Sequence, residues 1–273
     1  MQDKEQEYAK TTFDNIATKY DEILFFKTSA KHVVEMIQNH TKLRPLEVLD
    51  VACGTGNVVL ECATCMEDGI FDAIDISEGM LDIARQKALD KKLDNINFHV
   101  QDITNLNLDK KYHVITCGYA LFFLADAIAV LKSLVAQLRP NGIIIFTTFT
   151  AEAFSPSTEI LLPLLVKYGS KTAKAYDIDS WKNLKHTRDI ERLCQMALVG
   201  DVNIHTKEIR YGLSIDEWWE LINNTGFKGM LMELSSEDYE QVKTVYYEAM
   251  LKHADTNREV ELIADTNFVV VDR

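Results

Sequence analysis

The chain has 273 residues, with 29 lysine and arginine residues against 42 aspartate and glutamate residues, so its formal charge at pH 7 is −13. Hydrophobic residues make up 47% of the chain and charged residues 26%, values that indicate a globular protein with a packed core. A surface this acidic repels phosphate backbones, and no run of lysine and arginine counters that field, so a nucleic-acid partner is not expected.

Export, membrane insertion and metal binding are not expected either. The N-terminus carries charges where a signal peptide would be apolar, which predicts a cytoplasmic protein. The apolar stretch 114–131 is divided by Gly118 and Asp126, so we expect two short buried elements there and no membrane span. The five cysteines are odd in number and scattered, so they are predicted to be free thiols. The pair Cys62 and Cys65 has no second pair that would complete a zinc site.

The first half of the chain alternates between two kinds of pattern. Two helices are expected first, over 6–20 and 29–40, the second with Ser29 as its N-cap. Apolar runs typical of buried strands follow, separated by helical patterns that begin near 57, 77 and 126; the strands are expected over 46–51, 70–76, 95–100, 112–117 and 142–149. This order predicts an α/β fold with a doubly wound parallel sheet.

After residue 150 the alternation is lost. Residues 151–213 read as mostly helical and are predicted to be an insertion that covers a ligand. A helix ended by Gly226, a strand over 229–234, a charged helix over 236–254 and a last strand over 267–273 complete the chain. The predicted organisation is therefore N-terminal helices over the site, a ligand-binding core, a helical lid and the C-terminal part of the core sheet, over 1–45, 46–150, 151–213 and 214–273.

A glycine-containing turn lies between the first predicted strand and the helix that follows it. Gly54 and Gly56 let the backbone turn tightly and approach a ligand, at a helix N-terminus where free N–H groups point outward. Asp75 follows Gly56 by nineteen residues, at the end of the second strand. A carboxylate in that position is able to accept both hydroxyls of a ribose, so the sequence predicts a nucleoside-containing cofactor.

Two cofactor classes use this arrangement, the nicotinamide or flavin dinucleotides and S-adenosylmethionine (SAM). The dinucleotide motif needs a third glycine where this chain has Val59. Asp50, four residues before Gly54, suits an ammonium group better than phosphates. Asp102 follows the third strand and is able to accept from an adenine amine, and Met80 is placed to lie on an adenine face. These features favour SAM.

With these residues in place, the chain resembles class I SAM-dependent methyltransferases, and among them the small-molecule group that includes the ubiquinone and menaquinone biosynthesis C-methyltransferases. The residues that carry the resemblance lie in the first 150, in the segments FDNIATKYD (13–21), VLDVACGTG (48–56), DISEGMLDIAR (75–85), QDITNL (101–106), ITCGYALFFLAD (115–126) and LRPNGIIIFTTF (138–149). The resemblance implies a Rossmann-like sheet of seven strands, mostly parallel with the last strand antiparallel, and a helical lid.

The resemblance also implies which residues hold the cofactor. In the family, the segment that corresponds to Asp50–Gly56 cradles the methionine part of SAM, and Ala52 stands where many members have a glycine. The residue at Asp75 holds the ribose. The remaining implied contacts are Ile76 and Met80 beside adenine, Asp102 and Ile103 at its edge, Tyr20 closing over the methionine, and Cys117, with Gly118 and Tyr119, near the transferable methyl.

The sequence thus predicts an enzyme that transfers a methyl group from SAM to carbon, oxygen or nitrogen of a small-molecule acceptor and leaves S-adenosylhomocysteine. If the acceptor needs a base, the candidates are Tyr119, Tyr176, His186 and His205. A SAM-binding protein without turnover is the alternative, and a nicotinamide-dependent oxidoreductase is a weaker one. The acceptor's identity and the oligomeric state are not encoded in any motif that we find.

Overall fold

In the computed structural model, which describes residues 2–106, 108–176 and 180–273, the chain opens with two helices, α1 (Gln2–Tyr20) and α2 (Leu24–His40). The alternating region follows, in the order β1 (Glu47–Val51), α3 (Asn57–Cys65), β2 (Ile70–Asp75), α4 (Glu78–Asp90), β3 (Ile96–Val100), β4 (Tyr112–Gly118), α5 (Ala127–Gln137) and β5 (Leu138–Phe149). The rest of the chain contributes α6 (Ser157–Lys167), α7 (Lys171–Ala175), α8 (Thr187–Ala197), β6 (Val202–Lys207), β7 (Arg210–Ser214), α9 (Ile215–Asn223), α10 (Phe227–Leu231), α11 (Ser236–Met250), β8 (Glu259–Ile263) and β9 (Thr266–Asp272). Residues 177–179 of the predicted lid lie outside the described residues.

Seven of these strands form one sheet, in the order β3-β2-β1-β4-β5-β9-β6. Strands β1 to β5 pair in parallel, whereas β9 is antiparallel to both β5 and β6. The prediction of a mostly parallel, seven-stranded sheet whose last strand is antiparallel is therefore confirmed. The parallel strands bring their carboxyl ends to one edge of the sheet, which is where ligands bind in folds of this kind.

Helices cover both faces of the sheet. On one face, apolar side chains of α2 and α3 pack with the strands, as Ile37 and Val59 show. On the other face α5 and α8 do the same, with Leu131 and Leu193 fully buried. Strands buried on both sides read as continuous apolar runs, and for that reason the sequence located β1, β2, β4 and the end of β5 correctly.

Four details differ from the sequence-based expectations. The second helix begins at Leu24, so Ser29 is buried inside α2 and is not its N-cap. Within 151–213, α8 packs on the sheet and β6 pairs with β9, so these two elements belong to the core layers. The strand expected over 229–234 is wrong, because the chain forms helix α10 there. A short apolar run fits either structure by periodicity, so the pattern could not decide. Strand β5 begins at Leu138, before the strand expected over 142–149, and contains a bulge with Asn141 at φ +60°.

Helices α6, α7, α9, α10 and α11 form a cap over the carboxyl edge of the sheet. One apolar cluster joins side chains from α2, α6, α9, α10 and α11 with the small antiparallel sheet of β7 and β8. Trp218 of α9 is fully buried in this cluster, and its indole N–H donates to the Val260 carbonyl at 3.0 Å. The cap is therefore assembled from both ends of the chain, and not from residues 151–213 alone.

A buried carboxylate holds the first helix of the core against the sheet. Asp50 of β1 is 1% exposed and accepts hydrogen bonds from the Thr116 hydroxyl at 2.7 Å and the Val59 N–H at 3.2 Å. Burial raises the pKa of Asp50 to about 7, although both hydrogen bonds act in the opposite direction. Asp50 thus joins β1, β4 and the start of α3, and the burial of its charged form costs free energy.

The corner between α1 and α2 is attached to the core through Asp21. Its carboxylate accepts from the Thr55 hydroxyl at 2.6 Å, from Asn57 at 3.2 Å and from the Lys87 ammonium at 2.7 Å. Lys87 also donates to the Thr55 carbonyl at 2.9 Å. Because Tyr20 directly precedes Asp21, this cluster fixes the position of the tyrosine against the glycine turn.

We expect a neutral residue at position 21 to loosen this corner. Asp21→Asn removes the charge that faces Lys87, which for a partly exposed pair costs about 1 kcal/mol and corresponds to roughly fivefold faster trypsin cleavage after Lys19. Arg85→Gln is the matched control, because Arg85 lies on the same helix but bonds only Glu78 and Asp82 of α4. Equal cleavage rates in the two variants would contradict the attachment through Asp21.

The raised pKa of Asp50 predicts a pH dependence of stability. An unfolded aspartate has a pKa of about 3.9, so between about pH 4 and pH 7 the folded chain binds a proton that the unfolded chain has lost, and the free energy of unfolding falls as the pH rises. In urea titrations at pH 5 and pH 8, Asp50→Asn should gain about 2–3 kcal/mol relative to the parent between the two conditions. A pH-independent difference would place the pKa of Asp50 in its ordinary range.

Candidate active site

The glycine turn adopts backbone angles that most side chains disfavour. Ala52, Gly54 and Gly56 have φ values of +50°, +55° and +81°. A Cβ on Gly56 would lie 3.1 Å from the Cβ of Ala84, so this glycine is required where α3 passes close to α4. A Cβ on Gly54 would meet only the Tyr20 ring, at 3.9 Å, so that position is open toward the space above the sheet. Gly56 therefore allows close packing of two helices, whereas Gly54 leaves space above the turn.

Asp75, at the carboxyl end of β2, binds the glycine turn directly. One carboxylate oxygen accepts from the Gly54 N–H at 2.7 Å and the other from the Ser77 N–H at 2.9 Å. Asp75 is 8% exposed, and burial raises its pKa despite these hydrogen bonds. The Ile76 N–H acts on the same carboxylate, and because a carboxylate offers about four acceptor positions, capacity remains for a ligand hydroxyl group.

A cavity of about 610 Å³ opens beside this turn, and we call it the glycine-loop cavity. Its volume lies in the range of cofactor sites. Eight of the eleven residues predicted to bind the cofactor line it: Tyr20, Ala52, Gly54, Asp75, Ile76, Met80, Asp102 and Ile103. Side chains from four separate segments of the chain thus meet at one place, as the sequence predicted for successive strand ends.

The other three predicted residues do not line this cavity. Asp50 faces Val59 and Thr116, as described above, and Gly56 serves helix packing. Cys117 is fully buried in the core of the sheet, where burial raises the pKa of its thiol. These residues support the walls of the cavity from behind.

The glycine-loop cavity is also lined by a buried methionine and by an acid that a hydrogen bond orients. Met80 is 1% exposed and packs against Ile16 and Ala17 of α1. Asp102 accepts from the Thr104 N–H at 2.8 Å, which orients its carboxylate at the start of a short helical turn. This combination suits a flat ring with a polar edge.

A second cavity, of about 150 Å³, lies under the cap, and we call it the aromatic cavity. Eleven of the nineteen described residues that line it are phenylalanine or tyrosine. Phe149 at the end of β5 is central among them, since it stacks on Tyr119 at 4.4 Å between ring centres and meets the edge of Phe154 at 4.7 Å. Such pairs give the cavity rigid apolar walls.

The two cavities share a wall formed by four aromatic side chains, Phe13, Tyr20, Tyr119 and Phe123. Tyr119 has a φ of +51°, and its hydroxyl is held by Ser29 of α2 and Thr266 of β9. A strained backbone, together with a hydroxyl held by two other elements, indicates that the fold fixes the position of this ring. The two cavities therefore adjoin at these four side chains.

The structure brings two of the four candidate bases to these cavities. Tyr119 lines both, and burial raises its pKa to about 12, so its phenol is neutral at pH 7. Tyr176 lines the aromatic cavity, and burial raises its pKa too. His186 precedes α8 and His205 lies exposed on β6, and neither lines either cavity.

Sequence reasoning missed the residues that dock α1 over the site. Asp14 accepts a hydrogen bond from the Ser77 hydroxyl and another from the Gly79 N–H at 3.3 Å, which holds α1 across the start of α4. Asp21 and Lys87 fix the C-terminal end of α1. The two acids lie in the segment FDNIATKYD, so the signal was present, but only Tyr20 was given a role.

Within the described part of the chain, no three histidine, cysteine, aspartate or glutamate side chains are grouped as a metal site would require. The five cysteines are free, as predicted, although Cys65 is exposed while Cys62 is buried. No helix in the described ranges is long and apolar enough to cross a membrane.

Known proteins with similar sequences are methyltransferases. The chain is 28% identical over 144 residues to a malonyl-[acyl-carrier protein] O-methyltransferase of Bacillus cereus, a match that covers 52% of each chain. It is 27% identical over 183 residues to a demethylmenaquinone methyltransferase of Lactococcus lactis, covering 63% of this chain and 73% of the relative. This chain thus spans about half the length of the O-methyltransferase that it matches.

Solved structures share the fold. The YcgJ protein of Bacillus subtilis superposes with a TM-score of 0.58 at 14% identity, over 89% of this chain and 98% of that one. The plantazolicin methyltransferase BpumL, solved with S-adenosylhomocysteine, gives 0.55 at 17% identity, over 98% and 95% of the two chains. The profile of a family described as a methyltransferase domain matches residues 44–200 of this chain. The chain therefore belongs to the methyltransferase domain family.

Proposed function

We propose that the protein transfers a methyl group from S-adenosylmethionine to a small-molecule acceptor. The observation that carries this proposal is the wall of four aromatic side chains shared by the glycine-loop cavity and the aromatic cavity. Methyl transfer requires a donor and an acceptor that meet in line at contact distance, away from water. Two adjoining cavities under a cap provide for both reactants.

The residues of the glycine-loop cavity fit the proposed cofactor. The remaining acceptor capacity of Asp75 takes a ribose hydroxyl, and Ile76, Met80 and Ile103 form apolar walls for adenine. Asp102 accepts from the adenine amine at the outer end. SAM, when bound, supplies an electrophilic methyl group on a positively charged sulfur.

The same residues fit a dinucleotide poorly. A pyrophosphate would need free N–H groups at the start of α3. The Val59 N–H there already donates to the carboxylate of Asp50, and Val59 itself is fully buried. The Val59 N–H is therefore not free to bind a phosphate, which favours SAM over a nicotinamide cofactor.

The chain's own residues align the reactants and exclude water. Tyr20 and Tyr119 line both cavities, and neighbouring side chains hold each of them. Tyr20 stacks on Phe26 at 4.5 Å, and Tyr119 is bonded to Ser29 and Thr266. In the displacement, the bond between sulfur and methyl breaks with its electron pair left on sulfur. A lone pair of the acceptor forms the new bond, and any proton that the acceptor carries leaves to solvent.

The size and charge of the molecule favour a small acceptor. The net charge of −13 opposes nucleic acid. Two relatives are named as a malonyl-[acyl-carrier protein] O-methyltransferase and a demethylmenaquinone methyltransferase, so the family itself leaves the acceptor open. We propose that the cap, with α1 and α2, closes over the acceptor, and that the protein acts in the cytoplasm.

Binding of S-adenosylhomocysteine tests the cofactor assignment. By calorimetry we expect micromolar binding to the parent and about 100-fold weaker binding to Asp75→Ala, because charge-assisted hydrogen bonding to the ribose is lost. Asp72→Ala is the matched control: Asp72 lies on the same strand but bonds Lys110 and Asn97, so affinity should stay within twofold.

Two results would contradict the proposal. Binding of NAD with no binding of S-adenosylhomocysteine would favour the oxidoreductase. Unchanged affinity in a folded Asp75→Ala would move the cofactor away from this turn. Binding of S-adenosylhomocysteine without transfer of labelled methyl to any fraction of a metabolite extract would instead favour the alternative of a SAM-binding protein without turnover.

A further inference from the structure

Tyr119, which lines both cavities, is held at its main chain as well as along its side chain. Its backbone has a φ of +51°, a conformation that residues with a side chain rarely adopt. The Tyr119 N–H donates to the Thr147 hydroxyl at 3.0 Å, and the ring stacks on Phe149. The ring therefore has one defined position at the place where the two cavities adjoin.

The hydroxyl of Tyr119 belongs to a series of hydrogen bonds whose direction follows from the hydrogens available. Thr266 has one hydroxyl hydrogen and donates it to the Ala264 carbonyl at 2.8 Å, so it accepts from Tyr119, also at 2.8 Å. The phenol hydrogen of Tyr119 is thus used at Thr266, and Ser29 is the donor to Tyr119. We call this series, from Ser29 through Tyr119 and Thr266 to the Ala264 carbonyl, the hydroxyl chain.

The two hydroxyl partners of Tyr119 are buried and lie behind the site. Ser29 is 3% exposed and Thr266 is fully buried. Neither is among the described residues that line the glycine-loop cavity or the aromatic cavity. Serine is a weaker helix former than alanine, so a serine inside α2 costs stability that its bond to Tyr119 offsets. Ser29 and Thr266 are therefore able to affect a ligand only through other residues, and both of them bind Tyr119.

The hydroxyl chain suits a neutral phenol and not a base. A phenol acts as a base only after it has lost its own hydrogen, and Thr266 would then have to turn its hydrogen away from the Ala264 carbonyl to face the phenolate. Burial also raises the pKa of Tyr119 to about 12. Tyr119 therefore contributes a fixed ring and no proton transfer.

We propose that Ser29 and Thr266 are positioning residues that act through Tyr119, whose ring sets how the methyl donor in the glycine-loop cavity meets the acceptor in the aromatic cavity. This inference rests on the proposed function, since it assigns the two cavities to those reactants. Alignment at contact distance is the main requirement of an in-line transfer. Tyr119, one of the four candidate bases, thus has a different role.

Calorimetry with S-adenosylhomocysteine tests whether the two residues act through Tyr119. We expect Ser29→Ala, Thr266→Val and Tyr119→Phe each to weaken binding about 2–10-fold, the net effect of one hydrogen bond. The double variant of Ser29→Ala with Tyr119→Phe should bind no more weakly than Tyr119→Phe alone. Thr266→Ser keeps the hydroxyl and should restore the affinity of the parent. Thr206→Val is the matched control, because the Thr206 hydroxyl on β6 bonds Asn267.

The NMR signals of the Tyr119 ring test the hydroxyl chain without any ligand. In the full chain made with ¹³C-labelled tyrosine, the signal that disappears in Tyr119→Phe belongs to Tyr119. We expect this signal to shift in Ser29→Ala and Thr266→Val, to return in Thr266→Ser, and to show no ionisation between about pH 6 and pH 10. Ser29→Ala places the best helix former inside α2, so loss of the fold is not expected to obscure the result.

Three results would overturn the inference. They are equal affinity for S-adenosylhomocysteine in the parent, Ser29→Ala and Thr266→Val, additive losses in the double variant, or ionisation of Tyr119 near neutral pH. Failure of the proposed function is distinguishable from these. If S-adenosylhomocysteine does not bind the parent, the cofactor assignment falls and the role in transfer falls with it, while the ring signal still shows whether the hydroxyl chain holds Tyr119. If it binds the parent and every variant equally, the proposed function stands and this inference falls.

Discussion

The hydrogen bond from the Gly54 N–H to the carboxylate of Asp75 is the contact on which the site depends. It joins the turn after β1 to the end of β2, two neighbouring parallel strands. The same carboxylate accepts from Ser77, whose hydroxyl caps α4 through the Met80 N–H. One acid therefore sets the shape of the glycine turn and the start of the next helix. It still has the capacity to accept from a ligand.

A second constraint acts from above the sheet. The C-terminal half of the N-terminal helix is held by two acids of one short segment, Asp14 at the start of α4 and Asp21 at the glycine turn. Tyr20 is thereby placed where the glycine-loop cavity and the aromatic cavity adjoin. The cofactor side of the site is thus built by the sheet, and the acceptor side by helices from distant parts of the chain that are fastened onto it.

This division explains what could be predicted from the sequence. Strands buried on both faces, the positive-φ turn at Gly54 and the acids at successive strand ends are local patterns, and parallel pairing brings their ends together, so Asp75 and Asp102 could be assigned. The same patterns do not reveal that Asp50 holds a helix, a role that only the positions of Val59 and Thr116 show.

The acceptor side could not be predicted in the same way. Phe25, Phe149, Phe154 and Phe227 come together only through the packing of the cap, and no spacing in the sequence relates them. The edge strand β6 was missed because its burial is slight and its pattern weak. Residues 229–231 belong to helix α10 because neighbouring elements decide the structure of a short apolar run. His186 and His205 were candidates by residue type alone, and the fold does not bring them to either cavity.

The central claim is that a methyl group passes directly from a donor in the glycine-loop cavity to an acceptor in the aromatic cavity, where the two cavities adjoin beside Tyr20 and Tyr119. A crystal structure of the complex with S-adenosylhomocysteine tests this most directly. We predict that the ribose binds Asp75 and that the sulfur lies beside these two tyrosines, facing the aromatic cavity. A nucleoside bound elsewhere, or a sulfur that faces away from the aromatic cavity, would contradict the account.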